Sequence, residues 1–292
     1  MRSLRKLLLL SSLFLFSKFA CADPSLWDFH PLHMGGNFVR VGKAEVTDSP
    51  YGNLRFRKSN VFTSMLTPIN HKNIFIPRVE LYWVTFDWNK NPKFHDTHFH
   101  YLQLGLVYYC TAVDRWKWIT RFDYNLQTNH LSNIGKYSLY NGLLWGAYEI
   151  NLKWHYHVGA LGYAGLESFQ IYPIIGFDYA PDEHWFLKAI FPFAYSVEYT
   201  VSYWTFALKG RPFWERLRAG SREPQPRSVF SYSNFGIEFL LRFGLKDRLT
   251  LEGWGGYTLG TSFYIKDQHG SNPIYLDAKS APYAGGSLDF SW

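Results

Sequence analysis

Residues 287–292 alternate between polar side chains and large apolar ones, and they end on an aromatic residue. The apolar members are Leu288, Phe290 and Trp292. Because successive side chains of a β-strand point to opposite faces, this pattern predicts a strand with one apolar and one polar face. Such a strand suits a sheet that separates an apolar phase from water.

The same period of two recurs along the chain. Residues 116–126 and 229–243 show it most clearly, and turn residues divide the remainder into similar segments. The residues around Pro192 indicate either a tight turn or a kink in an edge strand, so twelve strands remain an alternative to fourteen. The fourteen candidate strands are 36–46, 54–66, 74–87, 97–110, 116–127, 138–150, 154–165, 169–179, 184–191, 193–200, 204–210, 229–243, 248–263 and 281–292.

The first 22 residues have the form of an export signal. Arg2, Arg5 and Lys6 precede an apolar run at 7–16, and Ala20-Cys21-Ala22 has the small-x-small pattern that signal peptidase cleaves. We therefore expect a signal peptide over residues 1–22, Sec-type cleavage near Ala22 and a mature chain beginning at Asp23. An alternative makes Cys21 a lipid anchor, although Lys18 stands where an apolar residue is expected.

Beyond this segment, charged or strongly polar residues interrupt every apolar stretch before it reaches the length of a membrane-spanning helix. A chain without such helices can span a membrane only as a closed barrel, because backbone polar groups in lipid must be paired internally. Aromatic residues make up 20% of the chain, which is typical of a barrel with aromatic girdles. We predict an all-β fold, a transmembrane antiparallel β-barrel of about 12–14 strands over 36–292, with a periplasmic lead-in at 23–35.

The aromatic end of the chain resembles the closing strand of Gram-negative outer-membrane β-barrel proteins, although Ser287 stands where those strands usually have glycine. The resemblance implies the bacterial outer membrane as location and the barrel-assembly machinery as a partner, with Leu288, Phe290 and Trp292 as the assembly signal. Loop lengths agree with it. Counted from the C-terminus, the short connections all fall on the expected periplasmic side and the long ones on the outer side, as in that class of protein.

Because alternate residues of each strand face the interior, odd or even position along a strand (its parity) decides which side chains face the lumen. This rule places a mixed set of charges there. Five are basic and five acidic, so neither sign dominates as it would in a strongly ion-selective constriction. The set favours a small-solute pore or a structural envelope protein, with small neutral or zwitterionic solutes as possible partners. The predicted lumen charges are Arg78, Glu80, Lys117, Arg121, Asp123, Lys188, Glu198, Glu238, Arg242 and Glu252.

The segment 209–228 is the most charged part of the chain and is predicted to be a basic outer loop. It could bind phosphates of outer-membrane lipids and lipopolysaccharide, because guanidinium groups match phosphate geometry. It could also fold inward over the pore, or remain a solvated loop. Its arginines are Arg211, Arg216, Arg218, Arg222 and Arg227.

Two expectations concern ligands. Of the 30 Lys and Arg residues, four precede Asp23, so 26 remain against 23 acidic residues, and this near-neutral balance gives no reason to expect nucleic acid. The histidines at 95, 98 and 100 and at 155 and 157 lack the further ligands that a metal site needs. We therefore expect no metal and no cofactor.

One motif suggests a catalytic alternative. Residues 129–135 are similar to the His-x-Ser-Asn motif of outer-membrane phospholipases and lipid A deacylases, with His130 as base and Ser132 as nucleophile. If the strand 116–127 continued, both side chains would face lipid. In those enzymes a further residue, about twelve positions after the serine, orients the histidine. The corresponding position in this chain is Leu144. An outer-membrane lipid hydrolase is therefore the alternative function.

Overall fold

The computed structural model describes residues 31–47, 51–166, 168–245 and 248–292, with backbone only at 131–133. The predicted signal peptide, its cleavage site near Ala22 and residues 23–30 of the lead-in lie outside this part of the chain. Residues 32–35 of the lead-in belong to the first strand, which begins earlier than the sequence pattern predicted.

Sixteen strands lie in the described residues, joined almost entirely by hairpins. In chain order they are β1 (Leu32–Glu45), β2 (Asn53–Met65), β3 (Thr67–Asn70), β4 (Asn73–Trp88), β5 (His98–Cys110), β6 (Trp116–Gln127), β7 (Ser138–Glu149), β8 (Trp154–Gly165), β9 (Ser168–Tyr179), β10 (Trp185–Phe191), β11 (Ala194–Val201), β12 (Trp204–Arg218), β13 (Val229–Leu245), β14 (Leu249–Lys266), β15 (Ile274–Ala278) and β16 (Pro282–Ser291).

Antiparallel pairing closes the sheet on itself. Strand β16 pairs with β1 from Ser291↔His33 to Tyr283↔Val41, and on its other side it pairs with β14. Strand β3 pairs with β4 and β15 pairs with β14, so both lie off the main circuit. The wall is a closed 14-stranded barrel, which confirms the predicted fold class and its higher strand number.

Side-chain alternation gives the wall two different faces. On β13, Phe239 is 56% exposed on the outer face, whereas its neighbour Leu240 is fully buried in the interior. Glu238 and Arg242 share the inner face with Leu240. This arrangement gives an apolar outer surface that suits lipid and an interior that holds the polar groups. Among the described residues, no helix is long and apolar enough to cross a membrane.

The connections at the two ends of the barrel differ in length. We call the end with the connections 111–115, 150–153 and 202–203 the short-turn rim, and the opposite end the long-loop rim. At the long-loop rim, separate loops are hydrogen-bonded together: the amide of Gln225 donates to the Lys93 carbonyl at 2.8 Å, and the amide of Gly220 donates to Asp96 at 2.7 Å. These loops therefore form one cap over the mouth of the barrel.

The interior is packed rather than open. Toward the long-loop rim, side chains of β2 and β4 meet those of β12 and β13: Phe56 stacks on Tyr232 with ring centroids 5.0 Å apart and contacts Phe213 at 6.1 Å. A second buried apolar cluster includes Ile76, Val107 and Trp145 on β4, β5 and β7. Side chains of opposite walls therefore touch across the interior in the described part of the chain.

Candidate functional site: a lumenal cavity beside a gap in the wall

The first group of lumen charges lies on β2, β4, β5 and β6. Arg78 donates to Glu80 at 2.7 Å, and Glu80 also accepts a hydrogen bond from the Asn60 amide. Arg121 pairs with Asp123 at 2.8 Å, and Gln103 donates to Asp123 at 3.0 Å. Parity brings these groups to one face, and the register of neighbouring strands brings them into contact. Each charge in the group therefore has an opposite partner.

The second group centres on Glu198 of β11, which is fully buried. Its carboxylate lies 3.5 Å from Arg242 and 3.8 Å from Lys209, and it accepts a hydrogen bond from Ser196 at 2.8 Å. Arg242 also donates to Glu252 at 2.6 Å. Charges in such a dry interior are tolerated only when they are paired, and this network pairs them across β11, β12, β13 and β14.

Two further predicted lumen charges, Lys117 and Lys188, have different surroundings. Lys117 pairs with Glu149 at 3.3 Å and is partly exposed. Lys188 is buried, and its Nζ lies 5.3 Å from the centroid of the Phe186 ring.

The predicted basic outer loop at 209–228 is wrong over its first half. Strand β12 continues to Arg218, so Arg211, Arg216 and Arg218 belong to the wall, and only Arg222 and Arg227 lie in the connecting loop. Arg211 forms a bidentate pair with Glu238, with both N···O distances 2.6 Å. Arg211 is therefore paired with a carboxylate in the interior, whereas the composition of the segment suggested that its charge faces solvent.

Sequence reasoning also missed an ion pair that crosses the lumen. Lys58 of β2 lies 2.6 Å from Glu215 of β12, two strands that are not neighbours in the sheet. Extending the parity of β12 past Gly210 would have placed Glu215 on the inner face. Its partner could not be identified, because no local pattern indicates which opposite strand it meets.

A cavity of about 220 Å³ lies beside this Lys58–Glu215 pair. Its lining combines aromatic rings, including Tyr82, Tyr163 and Trp214, with neutral amides such as Asn125 and Asn141. A second cavity of about 220 Å³ adjoins it and shares Asn141, Tyr163 and Trp214. The two cavities thus lie side by side in the half of the barrel toward the long-loop rim.

The wall next to the cavity contains a gap. Strands β10 and β11 are short: β9 pairs with β10 only from Ile175 to Tyr179, and β12 pairs with β11 only from Trp204 to Gly210. Above the β10–β11 turn, residues 168–174 and 211–218 therefore face each other without an intervening strand. At about 3.3 Å per residue, the gap is roughly 20 Å long.

Side chains close this gap. The indole of Trp214 stacks on the Tyr172 ring with centroids 5.3 Å apart and planes at 19°, and it meets Tyr163 edge-on at 6.2 Å. Nη2 of Arg216 donates to the carbonyls of Gly165 and Leu166, both at 3.2 Å. The contact across the gap thus rests on one aromatic stack and one guanidinium group.

The motif at 129–135 does not continue β6 as the hydrolase alternative required. The strand ends at Gln127, and residues Thr128–Asn133 form a short 3-10 helix. His130 stacks on the buried ring of Tyr137 with centroids 4.4 Å apart, and the side chain of Ser132 is outside the described part of the structure. The predicted lipid-facing position of His130 is wrong, so the alternative loses its geometric basis.

The histidines of β8 take part in the interior packing. His155 and His157 flank one carboxylate, with nitrogens 3.0 and 2.9 Å from the two oxygens of Asp178. Trp145 donates to the other nitrogen of His157 at 3.0 Å. No group of three or more potential metal ligands occurs within the described ranges of the chain.

Comparisons with known proteins agree with this architecture. The chain is 22% identical over 274 residues to an uncharacterized protein of Chlamydia trachomatis serovar D, covering 86% of this chain and 84% of the relative. A protein of Chlamydia muridarum gives 22% over 277 residues, with coverages of 86% and 84%. The COG4313 outer membrane channel from Pseudomonas putida F1 has a similar fold, with a TM-score of 0.51, 8% identity and coverage of 93% of this chain and 100% of the channel.

A family model described as Domain of unknown function (DUF6268) matches residues 80–288, which run from the middle of β4 almost to the end of β16. This match includes both edges of the gap and, apart from Arg78 and Lys58, the paired lumen charges and the cavity lining. The chain folds into a closed 14-stranded β-barrel and belongs to the DUF6268 family.

Proposed function

We propose that this barrel is a selective channel for small uncharged solutes, which pass through the cavity near the long-loop rim. The observation that carries the proposal is the 220 Å³ cavity inside an otherwise packed lumen. A cavity of roughly 150 Å³ is large enough to hold benzene. The space therefore accommodates a molecule of one ring or of a few carbon atoms.

The lining favours neutral molecules. Lys58 and Glu215 neutralise each other across the cavity, and Glu80 is held by Arg78. The groups left to contact a solute are amides such as Asn141 and Gln170, phenols such as Tyr163 and the guanidinium group of Arg216. A cation entering this site would lose its hydration without gaining an unpaired carboxylate, which is unfavourable in a low-dielectric interior.

Uptake into proteoliposomes tests the proposal. We expect purified protein to admit glycerol and slightly larger neutral solutes, with a steep decline toward disaccharides, and to conduct ions only weakly. Asn141→Trp should reduce uptake at least about tenfold because it fills the cavity. Tyr140→Trp is the matched control, since Tyr140 is the adjacent residue on the outer face and is 40% exposed.

Two results would contradict this function. One is uptake by the wild-type protein no faster than in protein-free vesicles. The other is equal uptake by Asn141→Trp and Tyr140→Trp when both variants show heat-modifiable migration. The second result would mean that solutes pass elsewhere in the barrel, or that the packed interior serves a structural role in the envelope.

We also propose the delivery route that the sequence predicts, with cleavage after Ala22 and recognition of the last strand by the barrel-assembly machinery. Leu288, Phe290 and Trp292 lie on the outer face and are 48%, 42% and 44% exposed, which supports their accessibility. Deletion of residues 290–292 should abolish heat-modifiable, protease-resistant protein in the outer membrane. N-terminal sequencing that finds a lipidated Cys21 would contradict the proposed cleavage.

A further inference from the structure

The cavity continues through the wall at the free edge of β12. Its lining includes Lys58 and Gln103, which lie on the inner face, and also Ser233 and Tyr264, which lie on the outward faces of β13 and β14. Ser231 and Ser233 pair in register with Arg216 and Trp214, so all these residues share one face of the sheet. A single space bounded by both faces of a barrel wall must pass around the edge of a strand.

Backbone pairing shows why this edge can open. In lipid, every strand edge needs hydrogen-bonding partners, and a closed barrel normally supplies them all. Here residues 168–174 of β9 and 211–218 of β12 have no strand between them. Opening the gap therefore breaks no ladder between β9 and β12. It requires that Trp214 leave the rings of Tyr172 and Tyr163 and that Arg216 release two carbonyls.

The surroundings of the gap indicate what it opens to. On the outer face of β9, Phe169 and Ile171 are 69% and 60% exposed, and Phe191 at the end of β10 is 45% exposed. Large apolar side chains at this exposure belong to the surface that contacts lipid. The gap thus lies beside the hydrocarbon region rather than above it.

Pro212 supports the same conclusion. Its position pairs with Phe235 on the β13 side of β12, while the opposite side faces the gap. Proline cannot donate a backbone hydrogen bond and is tolerated in strands mainly at an edge. A proline at this place keeps β12 from presenting a complete row of donors to another strand.

We propose that the gap between β9 and β12 is a side passage between the lumenal cavity and the membrane, gated by Trp214, Tyr172 and Arg216. The molecules that fit it are small and amphipathic, with one ring to stack on the aromatic lining and a neutral group to bond the amides. Nε and Nη1 of Arg216 are buried without a hydrogen-bond partner among the described residues, and they can bind the acceptor of a molecule in transit. This inference rests on the proposed channel function and specifies its route.

Cysteine labelling from the lipid phase tests the passage. In a Cys21→Ser, Cys110→Ser background, Asn141→Cys places a thiol inside the cavity. N-phenylmaleimide, a one-ring reagent, is loaded into the vesicle bilayer, and a sulfonated maleimide of similar size is added to the water in parallel. Adding Trp214→Ala should accelerate labelling by N-phenylmaleimide at least about tenfold and leave the sulfonated reagent within about twofold.

The control is Trp204→Ala, on the same face of the same strand but below the gap, where the side chain contacts Phe243. It should change neither rate. Arg216→Lys keeps the charge but loses the planar fork that spans two carbonyls, so it should give an intermediate acceleration and serves if Trp214→Ala does not fold. Heat-modifiable migration identifies the folded variants.

Each other outcome overturns the passage. Equal acceleration of both reagents would mean that the gap opens to water. Labelling that is insensitive to both gate variants would mean that the reagent enters from a rim of the barrel. If solute uptake still responds to Asn141→Trp in that case, the channel function stands and only the lateral route is wrong.

Discussion

At the scale of single residues, local sequence shows which way a side chain points but not what it meets. Parity assigned Glu198, Arg242 and Glu252 to the inner face, where the structure places them. The sequence pattern predicted a strand that ends at residue 210 and a loop beyond it, so the rule did not reach Arg211 or Glu215. In the structure, the ring of Phe235 occupies the space that a Cβ at position 210 would need, 2.5 Å away. Glycine is there for packing, not for a turn.

The Glu198 network gives a prediction at this scale. Glu198→Gln removes the carboxylate beside Lys209 and Arg242 while keeping the side-chain shape. Removing one partner from a buried charge network typically costs about 3–5 kcal/mol, because the other charges stay buried. Urea unfolding of vesicle-inserted protein measures the change in the free energy of unfolding.

Asp87→Asn is the matched control, since it makes the same chemical change in an exposed pair. Asp87 pairs with Arg57, and their side chains are 37% and 48% exposed. Exposed pairs contribute less than about 1 kcal/mol. Equal costs for the two variants would mean that the Glu198 network is hydrated rather than buried.

At the scale of strands, the period of two and the turn residues located the whole wall. The longest missed segments lie at the long-loop rim, where β12 runs on to Arg218 and β14 to Lys266, and where β15 forms in a segment assigned to a loop. These extensions depend on hairpin pairing across the loops, as in Arg218↔Val229, and loop-like composition conceals them. The sequence pattern located the short β10–β11 hairpin. The gap that this hairpin leaves in the wall follows only from the register of β10 with β9 and of β11 with β12.

The prediction at this scale concerns how the cost of a charge on the outer face of β13 depends on its depth in the membrane. Phe239→Arg places a charge on the outer face in the middle of the strand and should cost about 2–4 kcal/mol, because lipid cannot solvate it. Leu245→Arg lies on the same face at the short-turn rim, where the cost should fall to about 0–1 kcal/mol. Refolding from urea into vesicles compares them.

A similar loss for Phe239→Arg and Leu245→Arg would contradict the assigned depth of the strand. Phe239 and Leu245 are both exposed, at 56% and 41%, so burial against protein does not distinguish them. Any difference in stability therefore reports on the lipid.

At the scale of the molecule, alternating sequence and the lack of a spanning helix were sufficient to predict a closed barrel. They could not show that the barrel is filled. Filling depends on contacts between opposite walls, such as Phe56 with Tyr232 and Lys58 with Glu215, and these pairs are far apart in sequence. The result is a packed barrel with a small cavity next to the part of the wall that has the least backbone pairing.

Closure of the wall between β1 and β16 underlies every statement about inside and outside, and one cross-link tests it directly. Asn37 and Ser287 are opposite each other in the register and point to the inner face. Directly opposed residues of antiparallel strands have Cα atoms about 4.5–5.5 Å apart, within reach of a disulfide.

In the Cys21→Ser, Cys110→Ser background, oxidised Asn37→Cys/Ser287→Cys protein should form an internal cross-link and migrate faster than the reduced form after boiling. The shifted pair Asn37→Cys/Gly286→Cys, with side chains on opposite faces, should not. Cross-linking of neither pair, or of both equally, would contradict the closed barrel and its register.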